Sequence, residues 1–231
     1  LLNKVTILAF DLDDTLWPCM PVIQHAEETL YAWLDQHYPR ITANYNPQQL
    51  VDLRKEFTAQ DKKYSVDLSM MRYEFLKKLA TDNQYDVSEV ADKGFDVFYN
   101  ARQQVNFYDD VFPALERLSS KYRLGAITNG NANVEKVGLG HLMEHTISAI
   151  DLQIAKPDKR IYHALADSFD VPTEQILYIG DHPEYDVIGP QVAGLRAAWI
   201  NREGHHWPQS LPLPKYQITN LFELEGLLEA H

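Results

Sequence analysis

One cysteine, Cys19, is all that the 231 residues contain. No internal disulfide is possible, so the fold needs no oxidising compartment and a cytoplasmic setting is expected. Long apolar runs are missing too, none approaching the roughly 18 residues a membrane helix requires. The opening LLNKVTILAF runs straight into DLDD without a small-residue cleavage site, so no signal peptide is expected; with no Met at position 1, a few residues are expected to precede it. Positive charge is scarce: 21 Lys and Arg stand against 33 Asp and Glu, a net charge of −12. That balance repels nucleic acid and anionic membranes. The pairs Lys62-Lys63 and Lys77-Lys78 lie in helical, mixed-charge surroundings and read as solvated faces. Neither a nucleic-acid nor a membrane partner is expected, and no repeat or low-complexity tract is present.

What is there is a rhythm. Short apolar runs end at polar residues: VTILAF before Asp11, RLGAIT before Asn129, TISAI before Asp151, ILYIG before Asp181, RAAWI before Asn201 and a weaker YQIT before Asn220. Helical patterns separate several of them, with Asp158 placed to cap a helix carrying Ile161, Leu165 and Phe169 on one face, and Asn220 another. Fully apolar strands alternating with helices read as a parallel sheet covered on both faces, an α/β fold whose ligands sit beyond the carboxyl ends of the strands. The polar residues collect at those ends. The Pro-rich HHWPQSLPLPK reads as a surface connection.

From Trp17 to Asn106 the rhythm stops, and helical stretches replace strands. Val22, Ala26, Leu30 and Trp33 form one stripe, Leu50, Leu53 and Phe57 another, and Ser88 is placed to cap a later helix. The block is expected to be an inserted all-helical domain of about four helices, giving a core of residues 1–16 and 107–231 and a helical domain of 17–106. WPCMP and VNFYDD are its expected hinges if it closes as a lid.

The stretch ILAFDLDDTLWP carries Asp11, Asp13 and Asp14 to the end of a core strand, where carboxylates are costly to desolvate. Either the strand merely surfaces there, or the acids form an anionic site that needs a cation. In an extended segment Asp11 and Asp13 share one face, and neighbouring carboxylates ionise together only with a compensating charge. Thr128 offers a hydroxyl; the amides of Asn129 and Gly130, leading towards an expected helix, offer donors for an anion. Lys156 precedes Pro157 at a helix start as a fixed positive charge, and Asp181 and Asp186 in GDHPEYD are hard oxygen ligands suited to Mg²⁺. Each signal alone reads as loop chemistry; the ordered set does not arise readily by chance.

That set resembles the haloacid dehalogenase superfamily over nearly the whole chain. The resemblance implies a doubly wound, Rossmann-like parallel sheet with a type 1 helical cap, and an Mg²⁺-dependent phosphatase acting on a small phosphorylated metabolite. It also implies roles: Asp11 nucleophile, Asp13 general acid/base, Thr128 with the Asn129 and Gly130 backbone orienting phosphate, and Lys156 steadying nucleophile and phosphoryl group. Asp181, Asp186, the Asp11 carboxylate and the Asp13 carbonyl are the implied metal ligands, with Asp181 the more direct of the two later acids. Thr15 also fits the first motif, while Asp14 stands where Gly is commoner. His205 and His206 lack zinc-like spacing to other ligands, and Cys19 has no evident His to pair with in the sequence.

DLDDTLWPCMPVI, ITNGNAN and the GLG at Gly138 to Gly140 together look like one bacterial branch of the superfamily, which dephosphorylates 5-amino-6-(5-phospho-D-ribitylamino)uracil in riboflavin formation. Similar proteins take flavin mononucleotide and sugar phosphates. Arg72, Tyr73 and an exposed Trp17 region are expected either to meet a ribityl chain and flat ring or merely to pack the cap. A pyrimidine 5'-nucleotidase is the rival with the same chemistry. A metal-free haloacid dehalogenase would need neither Asp13 nor the later acids, and a phosphoacceptor receiver domain would be about half this length without a helical insertion.

Overall fold

All six apolar runs form strands in the computed structural model, which describes residues 2–230. After β1 (Ile7–Phe10) come α1 (Cys19–His37), α2 (Pro39–Asn44), α3 (Pro47–Thr58), α4 (Lys63–Val66), α5 (Leu68–Asp82) and α6 (Val87–Arg102). The chain then runs through α7 (Val111–Ser119), β2 (Arg123–Thr128), β3 (His145–Ser148), α8 (Ala149–Leu152), α9 (Lys159–Phe169) and β4 (Ile176–Gly180). It ends with α10 (Gly189–Val192), β5 (Arg196–Ile200), β6 (Gln217–Ile218) and α11 (Leu221–Glu229). Two compact units result: residues Leu1–Pro18 with Asn106–His231, and residues Cys19–Val105. Trp17, Pro18 and Asn106 thus fall in the first unit and not, as the sequence pattern suggested, in the helical one.

The first unit is built on a six-stranded sheet of order β3-β2-β1-β4-β5-β6, every pairing parallel. This is a doubly wound sheet in which the strand order reverses beside β1, the position where such folds bind ligands. Register carries the polar ends to one level. Phe10 pairs with Ala126 on one side and Ile179 on the other, so Asp11 follows directly at the edge of the core. One sheet face, with Ile7, Ala9, Ile127, Ile176 and Tyr178, packs against Ile161, Tyr162, Leu165 and Phe169 of α9. Asp158 caps α9 through the Arg160 amide, and Asn220 caps α11 through the Glu223 amide. TISAI is only half strand: the Ser148 hydroxyl accepts from the Asp151 amide and turns the chain into α8.

The second unit contains six helices where about four were expected. Its buried stripe on α1 is Val22, Ala26, Leu30 and Leu34, an unbroken i, i+4 series; Trp33 is only partly buried beside it. Phe75 is buried and Phe57 partly buried in the same cluster. Asp86, not Ser88, caps α6, accepting from the Glu89 amide. Arg72 is buried, donating from both terminal nitrogens to Glu27 at 3.0 and 2.6 Å with its guanidinium 3.7 Å over the Phe98 ring. The Tyr73 hydroxyl donates to Asp92 at 2.6 Å. Arg72 is thus held inside the helical unit, whereas Tyr73 is only partly buried. Among the described residues no helix is long and apolar enough to cross a membrane.

Candidate active site

The ends of β1 and β4, with the loop before α9, bring four charged side chains together. Lys156 Nζ donates to Asp11 Oδ1 at 2.6 Å, to Asp186 Oδ1 at 2.7 Å and to the Tyr178 hydroxyl at 3.1 Å. All three ammonium donors are therefore satisfied, at a residue only 5% exposed. Burial works against the charged form of Lys156, but the carboxylates of Asp11 and Asp186 outweigh it and raise its pKa. The ammonium is permanent at neutral pH.

Carboxylates outnumber that ammonium. Asp11, Asp181 and Asp186 each offer an oxygen within 4.8 Å of the others. Ionised, they and Lys156 would sum to −3 + 1 = −2 in a site largely closed to water. Burial, opposed by Lys156 and reinforced by the Asp186 and Asp181 carboxylates, raises the Asp11 pKa well above the usual carboxylate range. Asp181 is pushed up to about 7, again first by burial, then by Asp186 and Asp14. A cluster of hard oxygen donors that resists full ionisation fits a divalent cation such as Mg²⁺.

Local backbone explains how the acids converge. Gly180 ends β4 because a Cβ there would collide with the Asp186 carboxyl group. A π-helical turn over Pro183–Ile188 carries Asp186 back to the strand end, where its Oδ2 accepts from the His182 amide at 2.9 Å. The carbonyl of Asp181 accepts from the Trp199 indole at 2.7 Å. Thr15 Oγ1 lies 3.3 Å from both Asp11 Oδ2 and Asp181 Oδ1, tying the first acidic loop to the last. Asp14 has φ 59°, the left-handed region that explains why Gly is commoner there and why Asp, which tolerates it, is an acceptable substitute.

The remaining expected residues are placed less simply. Asp13 does not share the carboxylate cluster; its Oδ1 accepts from the Trp17 indole at 2.9 Å. Trp17 itself is fully buried, contrary to the exposed region expected. Thr128 is buried at the end of β2, and its Oγ1 accepts from the Gly130 amide at 2.9 Å. That amide is therefore engaged within the loop rather than held open for an anion, and the Thr128 O–H is left to donate. Asn129 contributes through its side chain, accepting from the Lys156 amide at 2.8 Å and donating to the Lys156 carbonyl at 3.1 Å. Irregular turns, not a helix, follow this loop until β3.

Residues 5–194 match the model of the haloacid dehalogenase-like hydrolases. The chain belongs to that family. As a haloacid dehalogenase-like hydrolase it is 29% identical over 234 residues to the 5-amino-6-(5-phospho-D-ribitylamino)uracil phosphatase YigB of Escherichia coli K12, covering 98% of both chains. The pyrimidine 5'-nucleotidase YjjG of the same organism is 29% identical over 51% of this chain and 54% of its own. Among solved structures, a 2-haloacid dehalogenase from Pseudomonas syringae pv. tomato DC3000 superposes with a TM-score of 0.90 at 34% identity, covering 98% of this chain and 99% of that one.

Around the family's motifs lie supports that the motif pattern did not reveal. Tyr178 sits mid-strand in ILYIG, and its hydroxyl donates to the Ile127 carbonyl at 3.1 Å while accepting from Lys156. A polar-tipped aromatic in an otherwise aliphatic strand was the available signal, because a buried hydroxyl must find partners. Arg202, just past β5, donates to the Thr15 carbonyl at 2.7 Å and through both terminal nitrogens to Asp110 at 3.0 and 3.1 Å. Asp110 also accepts from the Leu221 amide at 2.6 Å. Arg202→Ala strands a buried carboxylate and the Thr15 carbonyl, so urea unfolding should show a loss of about 3–5 kcal/mol, partly recovered in Arg202→Lys. A loss under about 1 kcal/mol would show that this clamp is dispensable.

Proposed function

We propose that this hydrolase is an Mg²⁺-dependent phosphomonoesterase acting through a phosphorylated Asp11, with a phosphoribityl compound such as 5-amino-6-(5-phospho-D-ribitylamino)uracil as substrate. The observation that carries the reading is the buried excess of carboxylate around one lysine. A dehalogenase working on an uncharged carbon–halogen bond has no use for such a site, whereas a phosphate dianion cannot approach Asp11 without compensating charge. The helical unit is read as the domain that sets specificity.

The steps use groups already in place. Lys156 and the Thr15 hydroxyl fix the two oxygens of Asp11, which attacks phosphorus as the ester P–O bond breaks. Asp13 delivers a proton to the departing alkoxide, then as carboxylate takes one from water. The resulting hydroxide attacks the phosphorus, freeing Asp11 and inorganic phosphate. The Thr128 O–H is the donor for a phosphoryl oxygen, and the Lys156 ammonium, its three N–H groups engaged by Asp11, Asp186 and Tyr178, supplies the positive charge beside it. Asp11, Asp181, Asp186 and the carbonyl of Asp13 would hold Mg²⁺, which supplies charge neutralisation for the phosphoryl group. No nucleic-acid or membrane partner is part of this reading, and a cytoplasmic site of action suits it.

Full-length similarity to the YigB phosphatase supports the phosphoribityl substrate over the nucleotide, since the nucleotidase similarity spans half the chain. A panel assayed with and without Mg²⁺ tests it. The phosphoribityl substrate or flavin mononucleotide should exceed uridine and thymidine monophosphates in kcat/KM by about tenfold or more. A preference for the nucleotides would move the assignment to a pyrimidine 5'-nucleotidase. Halide release from 2-chloropropionate without Mg²⁺ would overturn the phosphatase reading.

A further inference from the structure

We propose that Trp17 is the positioning residue for the acid/base: its indole N–H fixes the Asp13 carboxylate so that one oxygen alone exchanges the reaction's proton. The inference rests on Asp13 acting as acid/base in the phosphatase reading above. Trp17 Nε1 donates to Asp13 Oδ1 at 2.9 Å. The indole is a donor only and bonds best to the unprotonated oxygen, so in the protonated acid it favours the proton on Oδ2. One hydrogen bond thereby selects which oxygen gives the proton to the leaving group and takes the next one from water.

The surrounding loop is built to hold that ring still. Trp17 is fully buried, and Phe107 meets it edge-on at 5.3 Å and 88°. The Asp14 amide donates to the Trp17 carbonyl at 2.7 Å, closing residues 13–17 into a turn whose sharp reversal is the left-handed Asp14. The Tyr108 amide donates to the Leu16 carbonyl at 3.1 Å, securing the turn from outside. Ring and carboxylate are consequently parts of one rigid turn. A buried indole N–H needs an acceptor in any case, and here that acceptor is the Asp13 carboxylate itself.

Leaving-group chemistry separates positioning from packing. An alkoxide needs a proton to depart, whereas p-nitrophenolate departs without one, and kcat/KM reports only the steps through leaving-group departure. Trp17→Phe keeps an aromatic ring and removes the N–H. The ratio of kcat/KM for an alkyl phosphate to that for p-nitrophenyl phosphate should fall about tenfold in this variant. Trp17→benzothienylalanine, which keeps the bicyclic shape and replaces N–H by sulfur, should give the same fall should Trp17→Phe fold poorly. An unchanged ratio in a folded variant overturns the inference, as does an equal loss on both substrates. Asp13→Asn serves as the reference: if its own ratio does not fall, the acid/base role of Asp13 fails first, and the inference with it.

Discussion

Asp11→Asn should abolish phosphomonoesterase activity, lowering kcat by roughly 10⁴-fold or more while leaving the fold intact. The amide matches the carboxylate in shape but is a far weaker nucleophile. It can still accept from Lys156, which keeps Asp186 as its charged partner at 2.7 Å, so no buried ammonium is left alone. Far-UV circular dichroism and the urea midpoint should be near wild type, which separates a chemical defect from an unfolded protein. The phosphorylated intermediate provides a second readout: rapid acid quench of the wild-type enzyme with ³²P-labelled substrate should trap label on protein, and the variant should trap none. Near-normal turnover after mass spectrometry has excluded deamidation back to Asp would remove Asp11 from the nucleophile role.

The ease of reading Asp11 from sequence, and the difficulty of reading its supports, have a common physical origin. Asp11, Asp181 and the Thr128 hydroxyl each follow a run of buried apolar residues, and a parallel sheet places such ends side by side whatever lies between them. Strand membership was legible for the same reason, with RLGAIT, ILYIG and RAAWI coinciding with β2, β4 and β5. Contacts that depend on a turn's path were not legible. Trp17 reaches Asp13 only because Asp14 takes a left-handed conformation, and Arg202 reaches Thr15 across 187 positions of sequence. In the helical unit, periodicity locates the stripe, but its last member is Leu34 and not Trp33, because the buried series keeps strict i, i+4 spacing. Whether Arg72 meets a ligand or packs the helical unit was not legible, because its partner Glu27 lies on another helix, 45 positions away.

The acidic cluster should make the metal-free protein less stable as pH rises, and Mg²⁺ should reverse the trend. Asp181 titrates near 7 in the folded, metal-free protein, against an ordinary carboxylate value of 3.8 when unfolded. Between those values the native state holds a proton that the unfolded state has released, so stability falls as pH climbs from about 4 to about 7. Asp11 is raised by the same burial and neighbouring carboxylates and acts in the same direction. Mg²⁺ must displace such protons, so its affinity should tighten by about tenfold per pH unit for each proton displaced, the Asp181 share levelling off above 7. The rise in Tm on adding Mg²⁺ should therefore grow from pH 5 to pH 8. Asp181→Asn removes one buried charge while keeping an acceptor for Thr15, so metal-free Asp181→Asn at pH 8 should melt at least about 2 °C above metal-free wild type. The same variant should gain little from Mg²⁺ and lose activity by about a hundredfold or more, as chelation does reversibly to the wild type. A Tm shift with Mg²⁺ that is flat across pH, or an Asp181→Asn protein no more stable than metal-free wild type, would mean that the cluster is not poised for a cation.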